Sequence, residues 1–264
     1  MDLPGTGHNL DLMDQGAALK LLRELRPSHL LQFAWETKLG EFWESARNLD
    51  WVGASLHLSK CFAECGGRRF IGAGTCAEYQ WDETPCDEQS TPLVPATFYG
   101  TCKNAARAIL QAYFRNMGVE FAWGRIFWAY GPGEKCDRFV PSILRPLLAG
   151  KPARCRQPLQ RRDLMHVADV GEAFSQVLLS DLQGAVNICS GTQQRLGEVA
   201  EFMADHLGRR DLLQLADTPE PARPLRLAGS NRRLLETGYH APPAWRTRMA
   251  AFIDSAARSP AKSD

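Results

Sequence analysis

Ser28–Trp35 reads SHLLQFAW and Arg69–Ala73 reads RFIGA, two short apolar runs of strand character. Between them, Leu49–Cys65 places Leu49, Val52, Leu56, Leu58 and Phe62 on one side of a helix that stops at Gly66-Gly67. Strand, helix and strand in that order are the unit of a parallel sheet, because parallel neighbours need a long crossover. The alternation extends both ways. Upstream, Gln15–Arg26 is an apolar helical stripe ended by Pro27. Downstream, a polar loop with three prolines at Trp81–Pro95 leads into a long helical pattern at Thr97–Met117 and a strand at Val119–Ala129. A helix at Pro141–Leu148, an Arg-rich loop, a strand at Leu164–Val167 and a helix at Val170–Leu179 follow. Val186–Cys189 and helices at Leu196–Leu207 and Trp245–Ala256 complete the order. The fold class expected is α/β, a parallel sheet covered on both faces.

Composition narrows the class of partner. The 264 residues are 44% hydrophobic and 23% charged, with 31 Lys and Arg against 30 Asp and Glu, so the chain is globular and its net charge of +1 has no global pull on nucleic acid or anionic lipid. A small-molecule partner is expected, with no nucleic acid and no membrane. The eight cysteines contain no CxxC pair, which leaves reduced, mostly buried thiols and no metal site as the expectation. Met1–Gly16 has no apolar run of signal-peptide type, and no later run approaches the roughly 18 residues of a membrane span. The reading is a cytoplasmic protein.

Tyr99 and Lys103 stand four apart in Y-G-T-C-K, on one face of the long helix. A phenol is a poor acid or base at neutral pH, but a nearby ammonium stabilises its phenolate. Taken alone, the pair could equally be a surface Tyr beside a solvated Lys. Thr75 supplies context: it follows the strand RFIGA in Gly72-Ala-Gly-Thr75, and the carboxyl ends of parallel strands face the ligand crevice.

With these motifs in hand, the sequence resembles the extended short-chain dehydrogenase/reductase family, the NAD(P)-dependent nucleotide-sugar epimerases, dehydratases and reductases. The likeness runs from about Asp11 to about Leu235. It rests on Gly74-Thr-Cys-Ala-Glu-Tyr79, Tyr99-Gly-Thr-Cys-Lys103, Arg125-Ile-Phe-Trp-Ala-Tyr-Gly-Pro-Gly133, Arg162-Asp-Leu-Met-His-Val-Ala-Asp-Val170 and Val186-Asn-Ile-Cys-Ser-Gly191. The resemblance implies a Rossmann-like doubly wound sheet with a small C-terminal substrate lobe. The division it implies is a nucleotide-binding core at residues 1–133 and 162–190 and a substrate lobe at 134–161 and 191–264.

It also implies roles. Tyr99 is the acid/base, Lys103 tunes it and holds the nicotinamide ribose, and Thr75 polarises the sugar carbonyl in place of the usual Ser. Ala34 and Trp35 border the NAD or NADP cofactor; for Trp35 a simple core position is the alternative. Trp128, where many epimerases of the family have Asn, looks like the branch that reduces 4-keto-6-deoxysugars, since an indole offers a flat apolar face to a deoxysugar. Core packing is the alternative for Trp128. Lys151, Arg154, Arg156, Arg161 and Arg162 form a basic run whose bland reading is a solvated loop. Arg162 itself matches the family's contact to the substrate diphosphate. His166 and Asp169 read as structural.

The expected function is therefore reduction of a 4-keto-deoxysugar nucleotide with Tyr99 as proton donor. The alternatives are an epimerase or dehydratase, or a non-catalytic binding or scaffold relative. The family's opening strand, GxxGxxG turn and helix are not found here: Pro4-Gly-Thr-Gly7 follows no strand, and the likeness begins near Asn9. The expectation is a Rossmann-like sheet lacking its first βαβ, with the Ser28–Trp35 strand at an edge. A homodimer through the helices at Leu49–Cys65 and Thr97–Met117 is expected from the resemblance alone.

Overall fold

The computed structural model describes residues 7–8, 10–36, 41–81, 85–217 and 226–258. Pro4–Thr6 of the Pro4-Gly-Thr-Gly7 run, and Asn9, lie outside them. The chain divides into two compact units, one of Met1–Glu78, Leu93–Trp123 and Leu182–Gly184, the other of Tyr79–Pro92, Gly124–Asp181 and Ala185–Asp264.

The first unit contains α1 (Gln15–Leu25), β1 (His29–Gln32), α2 (Arg47–Glu64), β2 (Arg69–Thr75), α3 (Phe98–Met117) and the start of β3 (Glu120–Ile126). Asp14 caps α1 by accepting the Ala17 N–H at 3.0 Å, and Thr97 caps α3 by accepting the Gly100 N–H at 3.1 Å. Gly118, at φ 68°, turns the chain out of α3 into β3. β1 pairs with β2 in parallel from His29 beside Arg69 to Gln32 beside Gly72. All seven residues of β2 are buried, as befits a parallel strand with both faces covered. The core is aromatic: Phe70 lies 4.9 Å from Phe114 and 6.1 Å from Phe121, ring centre to ring centre. Each such buried ring contributes about 1.5–3 kcal/mol.

The second unit holds the remaining elements: β4 (Trp128–Tyr130), α4 (Phe139–Leu148), β5 (Ala153–Cys155), β6 (Arg161–Arg162), β7 (Leu164–His166), α5 (Val167–Leu179), β8 (Gly184–Ile188), β9 (Gln194–Arg195), α6 (Leu196–His206), β10 (Leu213–Leu215), β11 (Arg226–Leu227), α7 (Arg232–Leu235) and α8 (Trp245–Arg258). Its core is built from Ile143, Leu147, Val199, Met203 and Ile253, all fully buried, from α4, α6 and α8. Smaller sheets pair β4 with β7, β5 with β10, and β6 with both β9 and β11.

Chain-wide, the main sheet has four parallel strands in the order β1-β2-β3-β8. This is the α/β, Rossmann-like architecture expected from the alternating pattern. No helix among the described residues is long and apolar enough to cross a membrane, and none of their His, Cys, Asp and Glu side chains form a group of three or more able to hold a metal ion.

Several sequence boundaries are corrected. The strand expected at Ser28–Trp35 is only His29–Gln32; Phe33 and Ala34 are exposed and Trp35 turns back into the core. The single strand expected at Val119–Ala129 is two, because its pairing changes: the Phe127 N–H donates to the Ile188 carbonyl, but that of Trp128 donates to the Asp163 carbonyl. The Arg-rich loop carries β5 and β6. α4 starts at Phe139 rather than Pro141, since proline in a first turn forfeits no intrahelical bond.

Candidate active site

The carboxyl end of β2 and the first turns of α3 meet in the first unit, and two glycines make this possible. A Cβ on Gly74 would lie 2.2 Å from the Trp123 indole nitrogen and 2.7 Å from Glu78 Oε1. A Cβ on Gly100 would lie 2.2 Å from the Ala77 carbonyl oxygen, so only glycine lets α3 come this close to the turn after β2. That turn, Cys76–Glu78, is a single 3-10 turn in which Glu78 is fully buried. Glu78 Oε1 accepts the Thr75 N–H at 3.0 Å and the Trp123 Nε1–H at 2.8 Å, which fixes the backbone of Thr75. Thr75 Oγ1 accepts the Ala77 N–H at 3.2 Å, which leaves the hydroxyl proton for a further acceptor.

On α3, Tyr99 is half-buried. Its N–H donates to the Trp43 carbonyl at 2.9 Å, and its ring stands edge-on to Phe42 at 5.0 Å and to Trp43 at 5.7 Å. One turn on, Lys103 is 4% exposed. Its Nζ donates to the Ala73 carbonyl at 2.9 Å, and it lies 6.0 Å from the Tyr99 ring centre, 5.9 Å from that of Trp123 and 3.9 Å from that of Trp35. Burial brings its pKa down to about 7, against the opposing pull of the Glu78 carboxylate. Three sequence-selected residues, Trp35, Tyr99 and Lys103, thus meet around one ammonium, and Thr75 ends the strand whose Ala73 receives it. Ala34, next to Trp35, is exposed beyond the end of β1.

The second unit places Trp128 and Arg162 against each other. The Arg162 guanidinium carbon lies 4.8 Å over the Trp128 ring, and Arg162 donates to Gln160 Oε1 at 2.6 Å and to the Arg161 carbonyl at 2.8 Å. Beside it, Asp163 is fully buried and accepts the Ser190 N–H at 2.8 Å, the Ser190 hydroxyl at 2.6 Å and the Gly191 N–H at 3.0 Å. Desolvation still lifts its pKa to about 6. His166 caps α5 by accepting the Ala168 N–H at 3.2 Å, with its pKa lowered by burial. Asp169 is paired with Arg248. A cavity of about 360 Å³ near Tyr130, His166, Gln194, Trp245 and Arg248 has neither Trp128 nor Arg162 in its lining.

Sequence reasoning missed Glu78, Asn48 and Trp123, which organise the surroundings of Thr75 and Lys103 in the first unit, and Asp163 beside Arg162 in the second. Glu78 and Asp163 lie inside motifs quoted for other residues. Their signal is a carboxylate one to three residues from a selected side chain, and only burial reveals what it does.

Comparisons with known proteins identify the family and the fold. The sequence model described as the NAD dependent epimerase/dehydratase family matches residues 2–189. A GDP-6-deoxy-D-mannose reductase of Pseudomonas aeruginosa is 28% identical over 253 residues, covering 87% of this chain and 80% of the relative. A dTDP-D-glucose 4,6-dehydratase of Mus musculus is 26% identical over 189 residues, covering 69% of this chain and 53% of the relative. Among solved structures, RMD from Pseudomonas aeruginosa complexed with NADPH superposes with a TM-score of 0.84 at 22% identity, covering 96% of this chain and 89% of that one. The Thermus thermophilus UDP-glucose 4-epimerase complex with NAD gives 0.81 at 23% identity, with 96% and 84% covered. With a family match over most of its length and the Thr75, Tyr99 and Lys103 motifs in their expected order, the chain belongs to the NAD dependent epimerase/dehydratase family.

Proposed function

We propose that this protein is an NAD(P)-dependent nucleotide-sugar oxidoreductase that reduces a 4-keto-deoxysugar nucleotide, with Tyr99 as proton donor. The observation that carries the reading is the convergence of Thr75, Tyr99 and Lys103 at the carboxyl end of β2. The donor set suits a nicotinamide ribose in kind: an ammonium with one of its three hydrogens committed to Ala73 and a phenol one helical turn away can both serve a vicinal diol. Tyr99 and Lys103 are the residues assigned to hold it, with Ala34 and Trp35 at its border.

When bound, the reduced nicotinamide supplies a hydride. Tyr99 transfers its phenolic proton to the sugar carbonyl oxygen as the hydride reaches the carbonyl carbon, while the Thr75 hydroxyl keeps its proton and only hydrogen-bonds the same oxygen. The charged form of Lys103 stabilises the phenolate that Tyr99 becomes, which is the condition for proton transfer at neutral pH. Arg162 and Trp128 are assigned to the substrate, the guanidinium to the diphosphate oxygens and the indole to the deoxysugar face. Residues 134–161 and 191–264 are assigned as the substrate lobe.

The test follows nicotinamide absorbance with a GDP-linked 4-keto-6-deoxysugar, GDP and the 6-deoxy sugar being taken from the name of the Pseudomonas aeruginosa relative and the 4-keto group from the reaction proposed. One reduced cofactor is expected to be consumed per sugar turned over, and Tyr99→Phe is expected to lower kcat by about 10²–10⁴-fold. Sugar conversion without net consumption of cofactor points instead to an epimerase. Full activity in Tyr99→Phe overturns both.

A further inference from the structure

We infer that the Trp35 side chain is a built-in competitor for the Lys103 ammonium, so that a nicotinamide cofactor engages this site only by displacing the indole. The inference rests on the cofactor reading above and adds to it a determinant of affinity.

The indole is placed and held by its own contacts. Its ring centre is 3.9 Å from Lys103 Nζ, the closest of the three aromatic rings around that nitrogen. Its Nε1–H donates to Asn48 Oδ1 at 2.9 Å, and Asn48, fully buried, donates in turn to the carbonyls of Phe42 at 2.6 Å and Ser45 at 3.0 Å. Trp51 stacks on Trp35 with centroids 6.4 Å apart and planes 27° from parallel. A hydrogen-bonded edge and a stacked neighbour give the ring one orientation, face toward the cation. Lys103 is left 4% exposed, with the Ala73 carbonyl on one side and an aromatic face on another. A ribose hydroxyl needs to come within about 3 Å of Nζ to accept a hydrogen bond, and a ring face at 3.9 Å takes up that approach. Cation–π attraction is strongest where the cation is desolvated, as here. The chain therefore partitions between a closed form, with Lys103 under Trp35, and an open form able to bind. Apparent affinity is reduced by the fraction open.

The experiment compares wild type, Trp35→Ala and Trp35→Phe, each verified as folded by circular dichroism. Each is titrated calorimetrically with NADH and NADPH, and Lys103 is followed by mass spectrometry after timed acetylation without cofactor. Trp35→Phe keeps a ring but loses the N–H held by Asn48, and it carries the test if the alanine variant does not fold. Supporting results are ten- to hundred-fold tighter binding in Trp35→Ala, about 1.4–2.7 kcal/mol, with an intermediate gain in Trp35→Phe and at least about ten-fold faster acetylation of Lys103. Equal dissociation constants in all three overturn the inference and leave the proposed reaction standing. Weaker binding in the variants also overturns it, and makes Trp35 a cofactor contact. If no folded form binds either nucleotide, the cofactor reading itself fails and the inference falls with it.

Discussion

Lys103 shows at the scale of one residue how burial sets chemistry. Its ammonium is removed from water by Trp35, Trp123 and α3, and the Glu78 carboxylate only partly offsets the loss, so the folded-state pKa is about 7 against an ordinary 10.5. Between those two values the unfolded chain carries a proton that the folded chain lacks. Stability therefore rises with pH across that window, and the contribution is lost as pH falls through 7. Lys103→Met removes the titration. The variant is expected to be more stable than wild type at pH 6.5, by an amount on the order of 3–5 kcal/mol at most. The difference is expected to shrink toward zero near pH 10.5, as measured by urea unfolding across the range. An equal difference at both ends would show that Lys103 is not desolvated as described.

At the scale of elements, the site depends on how closely α3 approaches the turn after β2. Gly100→Ala puts a Cβ 2.2 Å from the Ala77 carbonyl oxygen, a backbone atom with no freedom to move aside. The helix-propensity gain of up to about 1 kcal/mol is then outweighed, and a net loss of about 1–3 kcal/mol is expected. Gly53→Ala, in the middle of α2 with nothing within 4 Å of the added Cβ, is the control, and there the propensity gain stands alone. Opposite shifts in the urea midpoint are the expected outcome. Activity is expected to fall with Gly100→Ala only, because displacing the first turns of α3 moves Tyr99 and Lys103 together.

For the whole molecule, thiol accessibility is a direct readout of the packing. All eight cysteines are free; seven are buried and Cys136 is exposed. Burial raises the pKa of Cys61, Cys102, Cys155 and Cys189, the last the most strongly, which slows thiolate chemistry further. A chromogenic disulfide reagent is expected to consume one thiol rapidly in the native protein and eight in denaturant. Substituting Cys136 by Ser should remove the fast phase. Two or more fast thiols would mean that one of the described cores opens in solution.

Period and punctuation in the sequence determined the kind of fold. The apolar stripe of Leu49–Cys65 and the short runs SHLLQFAW and RFIGA could only be reconciled as strands joined by a helical crossover, a matter of residue spacing along one local segment. The Tyr99 and Lys103 pairing was equally legible, since four residues on a helix is a local distance. Where the strand at Val119–Ala129 breaks was decided elsewhere, by the carbonyls of Ile188 and Asp163, which receive successive N–H groups and lie far along the chain. Burial was decided elsewhere too. Glu78 is a buried clamp on Thr75 because Trp123 donates to it from another strand. Trp35 lies over Lys103 because Asn48, thirteen residues on, holds its N–H. Spacing is a property of neighbours in sequence, whereas desolvation and hydrogen-bond partners belong to neighbours in space, and the charge on Lys103 is set by the latter.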